Sequence, residues 1–142
     1  MKRYMFKLLI FFLFPVIVFL CDCCLEKDYP LYLENNTTFS TSWYLALGGE
    51  KGTEYPDTTL PQTDEYVIYD VLPKSTHIAG SGNKWEDVYS MLPKDTISVF
   101  VFITDTLNKY SWEEVRNGYK VLKRYDLSYD DLERMDWTIT YP

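Results

Sequence analysis

Residues 96–104 constrain the fold more than any other part of this 142-residue chain. Their apolar side chains alternate between the two faces of a predicted strand, with β-branched residues on one face and phenylalanines on the other: Ile97, Val99, Val101 and Ile103, then Phe100 and Phe102. Either face left in water would expose a row of large apolar side chains. The segment therefore predicts a central strand of a sheet that is covered on both faces.

The rest of the chain predicts short strands and short helices around this central strand. Alternating or β-branched runs predict further strands over residues 29–33, 42–47, 66–72, 119–125 and 137–141. A helix is expected after a cap at Asn83, and capping boxes at Ser111–Glu114 and Ser128–Asp131 predict two more, the first ended by Gly118 in the left-handed conformation.

These elements favour a fold that is mainly β or α+β. Because helices this short cannot act as regular crossovers, the strands should pair mostly antiparallel. We expect an antiparallel β-sheet or sandwich with about three short helical insertions. No repeat or composition shift divides residues 29–142, so this range is predicted to be a single β-rich domain.

The first two dozen residues differ from the rest. Lys2, Arg3 and Lys7 precede an apolar run of 13 residues, Leu8 to Leu20. A basic start followed by a short apolar core is typical of a secretory signal peptide. A transmembrane anchor is the alternative, but a spanning helix needs about 20 residues. We therefore expect residues 1–23 to be a signal peptide and residues 24–28 an acidic linker.

All three cysteines follow this apolar run, at positions 21, 23 and 24. The cluster resembles the lipobox of bacterial lipoproteins, in which the lipidated cysteine becomes the first residue of the mature protein. Cys24 fits best because the small Cys23 precedes it, and Cys21, which adjoins the apolar run, is the alternative. The resemblance implies an outer-membrane lipoprotein whose partner is the membrane itself, through the lipid anchor. An ordinary cleaved signal peptide is the other alternative.

The acidic residues that follow the cysteines concern the side of the outer membrane on which the protein is displayed. Residues 25–28, Leu-Glu-Lys-Asp, resemble the surface-export signal of Bacteroidetes lipoproteins, and a plain solvated linker is the alternative. Periplasmic and surface display both stay open.

Charge and cysteine content exclude several classes of function for the body of the chain. The 14 Lys and Arg residues against 21 Asp and Glu residues give a net charge of -7, which argues against a nucleic-acid partner. Cleavage before Cys24 would leave 11 basic and 20 acidic residues, a net charge of -9. No cysteine follows Cys24, so the body has neither an internal disulfide nor a thiol nucleophile.

The side chains that carry chemistry form no recognisable pattern. His77 is the only histidine and is interpreted as a partly exposed loop residue. The acidic pairs Glu113–Glu114 and Asp130–Asp131 are assigned to helix N-termini. We therefore expect no catalytic, cofactor or metal site and no enzymatic activity. A hydrolase using Asp105, Asp126 or Glu113 is a weaker alternative, because nothing in the sequence pairs these residues.

Aromatic residues leave open a glycan-binding function. Trp43, Trp85, Trp112 and Trp137 occupy apolar-periodic or helix-start positions and are expected in the core. Tyrosines are the better candidates for an exposed glycan platform: Tyr55, Tyr66, Tyr69, Tyr110 and Tyr129.

Three Asp-Thr tripeptides resemble the O-glycosylation sequon of Bacteroidetes exported proteins. They make Thr58, Thr96 and Thr106 candidate acceptors, and Thr58 lies in the loop richest in proline. Turn chemistry is the alternative, because Asp and Thr side chains bond to nearby backbone at strand ends.

Five segments together resemble a family of small Bacteroidetes lipoproteins: 29–32, 55–61, 92–100, 122–127 and 137–142. The family carries no assigned activity. The resemblance therefore implies an exported single-domain lipoprotein and nothing about chemistry. We expect a lipid-anchored cell-envelope protein with a non-catalytic β-rich binding or structural domain, and a glycan-binding accessory surface lipoprotein is the alternative. Besides the membrane, the predicted partner is a glycan or another envelope protein.

Overall fold

The computed structural model describes residues 29–47, 53–62, 68–81 and 84–142. Within these ranges it has seven strands: β1 (Tyr29–Asn35), β2 (Thr41–Ala46), β3 (Ile68–Val71), β4 (Ser75–Ser81), β5 (Thr96–Ile103), β6 (Lys123–Ser128) and β7 (Thr138–Tyr141). It also has four short helices: α1 (Trp85–Ser90), α2 (Thr104–Lys109), α3 (Trp112–Asn117) and α4 (Tyr129–Arg134). The predicted signal peptide, Cys21, Cys24, the 24–28 linker, Tyr66 and the cap Asn83 lie outside the described residues.

The strands form two sheets, which confirms the predicted β-rich, α+β class. A four-stranded sheet has the order β3–β2–β5–β6, and every neighbouring pair in it is antiparallel. A three-stranded sheet has the order β4–β1–β7; β1 pairs antiparallel with β4 and parallel with β7. The preference for antiparallel pairing is therefore confirmed, with the β1–β7 pair as the exception.

The main core lies between the two sheets. The three-stranded sheet contributes Leu31, Leu33 and Ile139, each fully buried. The facing side of the four-stranded sheet contributes Trp43 and the β-branched face of β5, and α1 and α4 add apolar side chains at the margin. We call this the inter-sheet core. Burial of these side chains, at about 25 cal/mol per Å² of apolar surface, is the main stabilising contribution.

A second, smaller core covers the other face of the four-stranded sheet. Phe100 and Phe102 of β5 are fully buried there, together with Tyr44 of β2. Leu60, from the loop 53–62, and Val115 of α3 pack over them. We call this the outer core. β5 is thus buried on both faces, as its sequence predicts.

Two hydrogen bonds join the two parts of the chain that cover the outer core. The indole Nε1 of Trp112 in α3 donates to the carbonyl oxygen of Pro61 at 2.9 Å. Arg116 Nε donates to the carbonyl oxygen of Leu60 at 3.2 Å. Helix α3 therefore holds the loop 53–62 against the sheet.

Two elements were not predicted. β4 occupies residues predicted as loop; its sequence, Ser-Thr-His-Ile-Ala-Gly-Ser, has small side chains and a glycine and so a weak strand signal. It forms because all seven of its residues pair with β1. α2 follows β5 directly, with no capping side chain to signal its start.

Two boundary predictions near α3 are wrong. The strand predicted over 119–125 begins only at Lys123, because the chain first turns at Gly118 and Tyr119, and Lys120 N donates back to Val115 O of α3 at 3.0 Å. Gly118 has φ -86° and is not left-handed; the left-handed residue is Tyr119, with φ 43°. The reversal of the chain is thus one residue later than the position of the glycine suggests.

Candidate functional site

The candidate O-glycosylation sites lie on three separate elements. Thr58 is exposed in the loop 53–62, Thr96 is half-buried at the start of β5, and Thr106 is half-buried in α2. β5 spans about 23 Å over its seven residue steps from Thr96 to Ile103, and α2 begins only after Ile103. The three residues therefore form no common site. Thr58 has the most exposed side chain of the three.

The Asp-Thr chemistry that was the alternative explanation is present at Thr59. Asp57 Oδ1 accepts from Thr59 N at 2.9 Å, and Asp57 Oδ2 accepts from Thr59 Oγ1 at 2.8 Å. These hydrogen bonds stabilise the ionised carboxylate and lower the pKa of Asp57 below its ordinary value. Thr58 lies between the two bonded residues and presents its side chain outward.

The tryptophans pack in the core, as predicted. Trp43 and Trp85 are buried, and Trp85 stacks on Trp137 with ring centroids 6.0 Å apart. Trp112 meets Phe102 edge-on at 6.1 Å. The tyrosines predicted to be exposed are half-buried where the structure describes them: Tyr55, Tyr69, Tyr110 and Tyr129. Tyr110 lines an open cleft.

His77 is half-buried, as expected, but it lies in a strand rather than a loop. It belongs to β4, and its ring lies 5.4 Å from the ring of Tyr69. Its described neighbours supply neither an orienting carboxylate nor a serine hydroxyl within hydrogen-bond distance. The geometry is that of a side chain packed at the sandwich edge.

Two serine–aspartate pairs lie on the outer face of the four-stranded sheet. Ser98 Oγ donates to Asp126 Oδ1 at 2.6 Å, and Arg124 Nε donates to the same oxygen at 2.7 Å. Ser42 Oγ donates to Asp70 Oδ1, also at 2.6 Å. Each pair joins neighbouring strands and satisfies a buried hydroxyl. No described histidine lies beside either serine, so neither pair has the base that activates a nucleophile.

The acidic pairs lie at helix N-termini, as predicted. Both predicted capping boxes form: Ser111 exchanges hydrogen bonds with Glu114, and Ser128 with Asp131. Hydrogen bonds from Ser111 lower the pKa of Glu114, and those from Ser128 lower the pKa of Asp131. Glu114 and Asp131 therefore have hydrogen-bond partners at the N-termini of α3 and α4.

The strongest candidate for a binding site is an open cleft beside α2. Its volume is about 270 Å³, and it is lined by the end of β5, by α2 and its C-cap, and by the turn before β6: Ile103, Thr106, Tyr110, Lys120, Val121 and Leu122. We call it the α2 cleft. It combines apolar side chains, the Thr106 hydroxyl, the phenol ring and hydroxyl of Tyr110, and one ammonium group. Such a mixture suits recognition of a small polar ligand with an apolar or ring body.

Lys120 is the charged group of the α2 cleft, and its place was not predicted. Its ammonium lies 4.3 Å from the centroid of the Tyr110 ring, and the ammonium of Lys109 lies 5.3 Å from the same centroid. The sequence offered no signal, because Lys109 and Lys120 are separated by α3 and brought together only by the turn at residues 118–122.

No protein-family model, no curated protein and no solved structure matches this chain. In the described ranges, no helix has the length and apolar character needed to cross a bilayer. The same ranges contain no cluster of three or more His, Cys, Asp or Glu side chains arranged to hold a metal ion.

Proposed function

We propose that this protein is a lipid-anchored protein of the outer membrane, with a non-catalytic β-rich domain that binds a ligand or a partner. The observation that carries the proposal is the order of its N-terminal segments. A basic start, a 13-residue apolar run and a cysteine cluster precede the domain immediately. After the leader is removed, lipidation at Cys24, or at Cys21, would attach the mature chain to the membrane through that cysteine.

The short stretch of chain between the cysteines and the fold would hold the domain close to the membrane. Only five residue steps separate Cys24 from Tyr29, the first residue of β1. A fully extended chain of that length reaches about 18 Å. The start of β1 would therefore face the membrane at short range.

With an anchor at Cys24, the direction of the strands would put the α2 cleft at the end of the domain distant from the membrane. β1 runs from Tyr29 to Asn35, and the short connection after it leads to Thr41 at the same end of the sandwich. Thr41 pairs with Ile103, and Thr104 N donates to Ser40 O at 3.1 Å. Helix α2 thus lies at the end opposite Tyr29, where a ligand approaching from outside would meet it.

Metabolic labelling tests the anchor. In cells that lipidate exported proteins, the full chain should incorporate radiolabelled palmitate, and globomycin should retain its precursor. Cys24→Ala should abolish labelling, while Cys23→Ala, the matched control, should retain it. Loss of label in Cys21→Ala alone would assign the anchor to Cys21.

Three further results decide other parts of the proposal. Wild-type protein that incorporates no palmitate, whether or not its leader is cleaved, would overturn the anchor. Protease treatment of intact cells distinguishes surface from periplasmic display. The intact mass of the same purified protein, compared with a Thr58→Ala variant, reports glycosylation at Thr58.

Glycan binding is the second candidate function. The observation that favours it is the Tyr110 ring beside the Thr106 hydroxyl in the α2 cleft. Aromatic rings and hydroxyl groups are the groups with which proteins contact sugar rings and their hydroxyls. An accessory surface lipoprotein with this cleft would present a glycan site at the end distant from the anchor.

A further inference from the structure

We infer that the α2 cleft binds a small organic carboxylate with a hydroxylated body, such as a sugar acid, and that Lys120 is its principal anion contact. This inference rests on the binding half of the proposed function. It does not depend on the lipid anchor.

The structure holds the Lys120 side chain in place at two points. Its stem lies against Gly118, where an added Cβ would come within 3.3 Å of Lys120 Cε. Its ammonium lies over the Tyr110 ring, at the distance of a cation–π contact. A lysine fixed in this way loses little further side-chain freedom when it binds an anion.

Two lysines lie near the Tyr110 ring of the cleft. The ammonium groups of Lys109 and Lys120 lie 5.3 Å and 4.3 Å from the centroid of that ring. In the described ranges, the two ion pairs are Arg124–Asp126 and Arg134–Asp131, so neither lysine has a carboxylate within 4 Å. A ligand carboxylate in the cleft would give the Lys120 ammonium an ionic partner that the described residues do not supply within 4 Å.

The charges of Glu114 and Lys120 interact, and Glu114 is already engaged by other groups. One of its oxygens accepts from both the backbone N and the hydroxyl of Ser111, each at 2.9 Å. Lys120 acts on it only at longer range, as a minor contribution that lowers the pKa of Glu114. The Lys120 ammonium therefore keeps donors available for a ligand.

The rest of the lining fits a carboxylate that has a body of about monosaccharide size. Thr106 offers a hydroxyl, and Val121 and Leu122 offer apolar surface within a volume of about 270 Å³. This volume is just below the range of about 300–1,000 Å³ typical for drug-sized ligands. The cleft lining has no arginine and a single ammonium, a donor set suited to a carboxylate rather than a phosphate, which has more charged oxygens to satisfy.

Isothermal titration calorimetry of the full chain in detergent micelles tests this inference. Glucuronate and glucose form a matched pair of probes, because they differ by one carboxylate. The wild type should bind glucuronate saturably and glucose at least about tenfold more weakly, as expected for loss of a charge-assisted hydrogen bond. Lys120→Gln should weaken glucuronate binding by a similar factor.

Lys123→Gln is the matched control. Lys123 is exposed and its ammonium lies 5.6 Å from the ring of Tyr125, so it repeats the lysine–tyrosine contact outside the α2 cleft. It should leave the glucuronate affinity unchanged. Equal losses of glucuronate affinity in the two variants would mean that the overall surface charge, and not a specific contact with Lys120, attracts the ligand. This result would overturn the inference.

Two other results would also overturn it: no saturable heat with glucuronate, or equal affinity for glucuronate and glucose. Circular dichroism of both variants checks that each keeps the wild-type fold. Ligand binding by the protein in detergent micelles does not require lipidation. A failed titration therefore leaves the palmitate result unaffected, and a failed palmitate result leaves the titration unaffected.

Discussion

The outer faces of the two sheets differ in what covers them. On the four-stranded sheet, Phe100 and Phe102 have no exposed surface, because Leu60 and Val115 pack over them. On the three-stranded sheet, the side chain of Ile78 in β4 is 59% exposed, and Thr140 in β7 is exposed as well. One sheet is therefore buried on both faces and the other on a single face.

This difference follows from the composition of the strands. β5 has apolar residues at consecutive positions, whereas β1 alternates the buried Leu31 and Leu33 with the half-buried Tyr32 and Glu34. A sheet face with polar side chains is stable in water, but a face of phenylalanines needs a cover. In this protein the cover consists of a loop and short helices, and the α2 cleft lies at its margin.

The largest expected effect is on the outer core. Phe100→Ala should lower the free energy of unfolding by about 3–5 kcal/mol, because it removes a fully buried ring and leaves a cavity. Ile78→Ala, on the exposed face of β4, should cost less than about 1 kcal/mol. Urea denaturation of the two variants measures the difference directly.

Equal losses in Phe100→Ala and Ile78→Ala would contradict the comparison. Such a result would mean that the face carrying Ile78 is covered in solution as well. A loss below about 1 kcal/mol in Phe100→Ala would instead mean that the outer core is not formed.

An intermediate effect is expected at the helix caps. Ser111→Ala at α3 removes the side chain that accepts from Glu114 N, and Ser128→Ala at α4 removes the equivalent acceptor for Asp131 N. Each should cost about 1 kcal/mol. Ser111→Ala should also loosen the cover of the outer core, so hydrogen exchange should increase in residues 53–62 in this variant and not in Ser128→Ala. Increased exchange in both variants would show that α3 does not hold the loop specifically.

The smallest effect concerns acid stability. Hydrogen bonds from the caps hold the pKa of Glu114 below its ordinary 4.5 and that of Asp131 below its ordinary 3.8. A carboxyl whose pKa is lower in the folded state stabilises the fold above the unfolded pKa, and this contribution is lost as pH falls through the folded pKa. The free energy of unfolding should therefore decline below about pH 4.5.

The double variant Glu114→Gln, Asp131→Asn tests this origin of the acid sensitivity. Its amides can still accept the capping hydrogen bonds but do not titrate. Urea denaturation at pH 6 and at pH 3 should show a smaller acid loss in the double variant than in the wild type. An unchanged difference would assign the acid loss to other carboxylates.

Several features were predictable because they depend on neighbours in sequence. The two-sided burial of β5 follows from its own side chains, and each capping box is contained within four residues. β4 was missed because its strand character depends on β1, whose paired residues are 40 to 52 positions away in sequence. α2 was missed because it has no side-chain cap, and its first backbone N instead bonds to Ser40 O.

The α2 cleft could not be predicted for the same reason. Lys109, Tyr110 and Lys120 converge only because α3 and the left-handed Tyr119 return the chain onto α2. No spacing of these residues in the sequence indicates the contact.

The amino-acid sequence by itself determined the β-rich class, the doubly covered strand and the helix caps, because hydrophobic alternation and capping act over a few residues. Only the tertiary structure decided which strands pair, which sheet face receives a cover and where Lys120 meets Tyr110. These outcomes depend on contacts between residues far apart in the chain, and their free energies are gained only when the whole domain has folded.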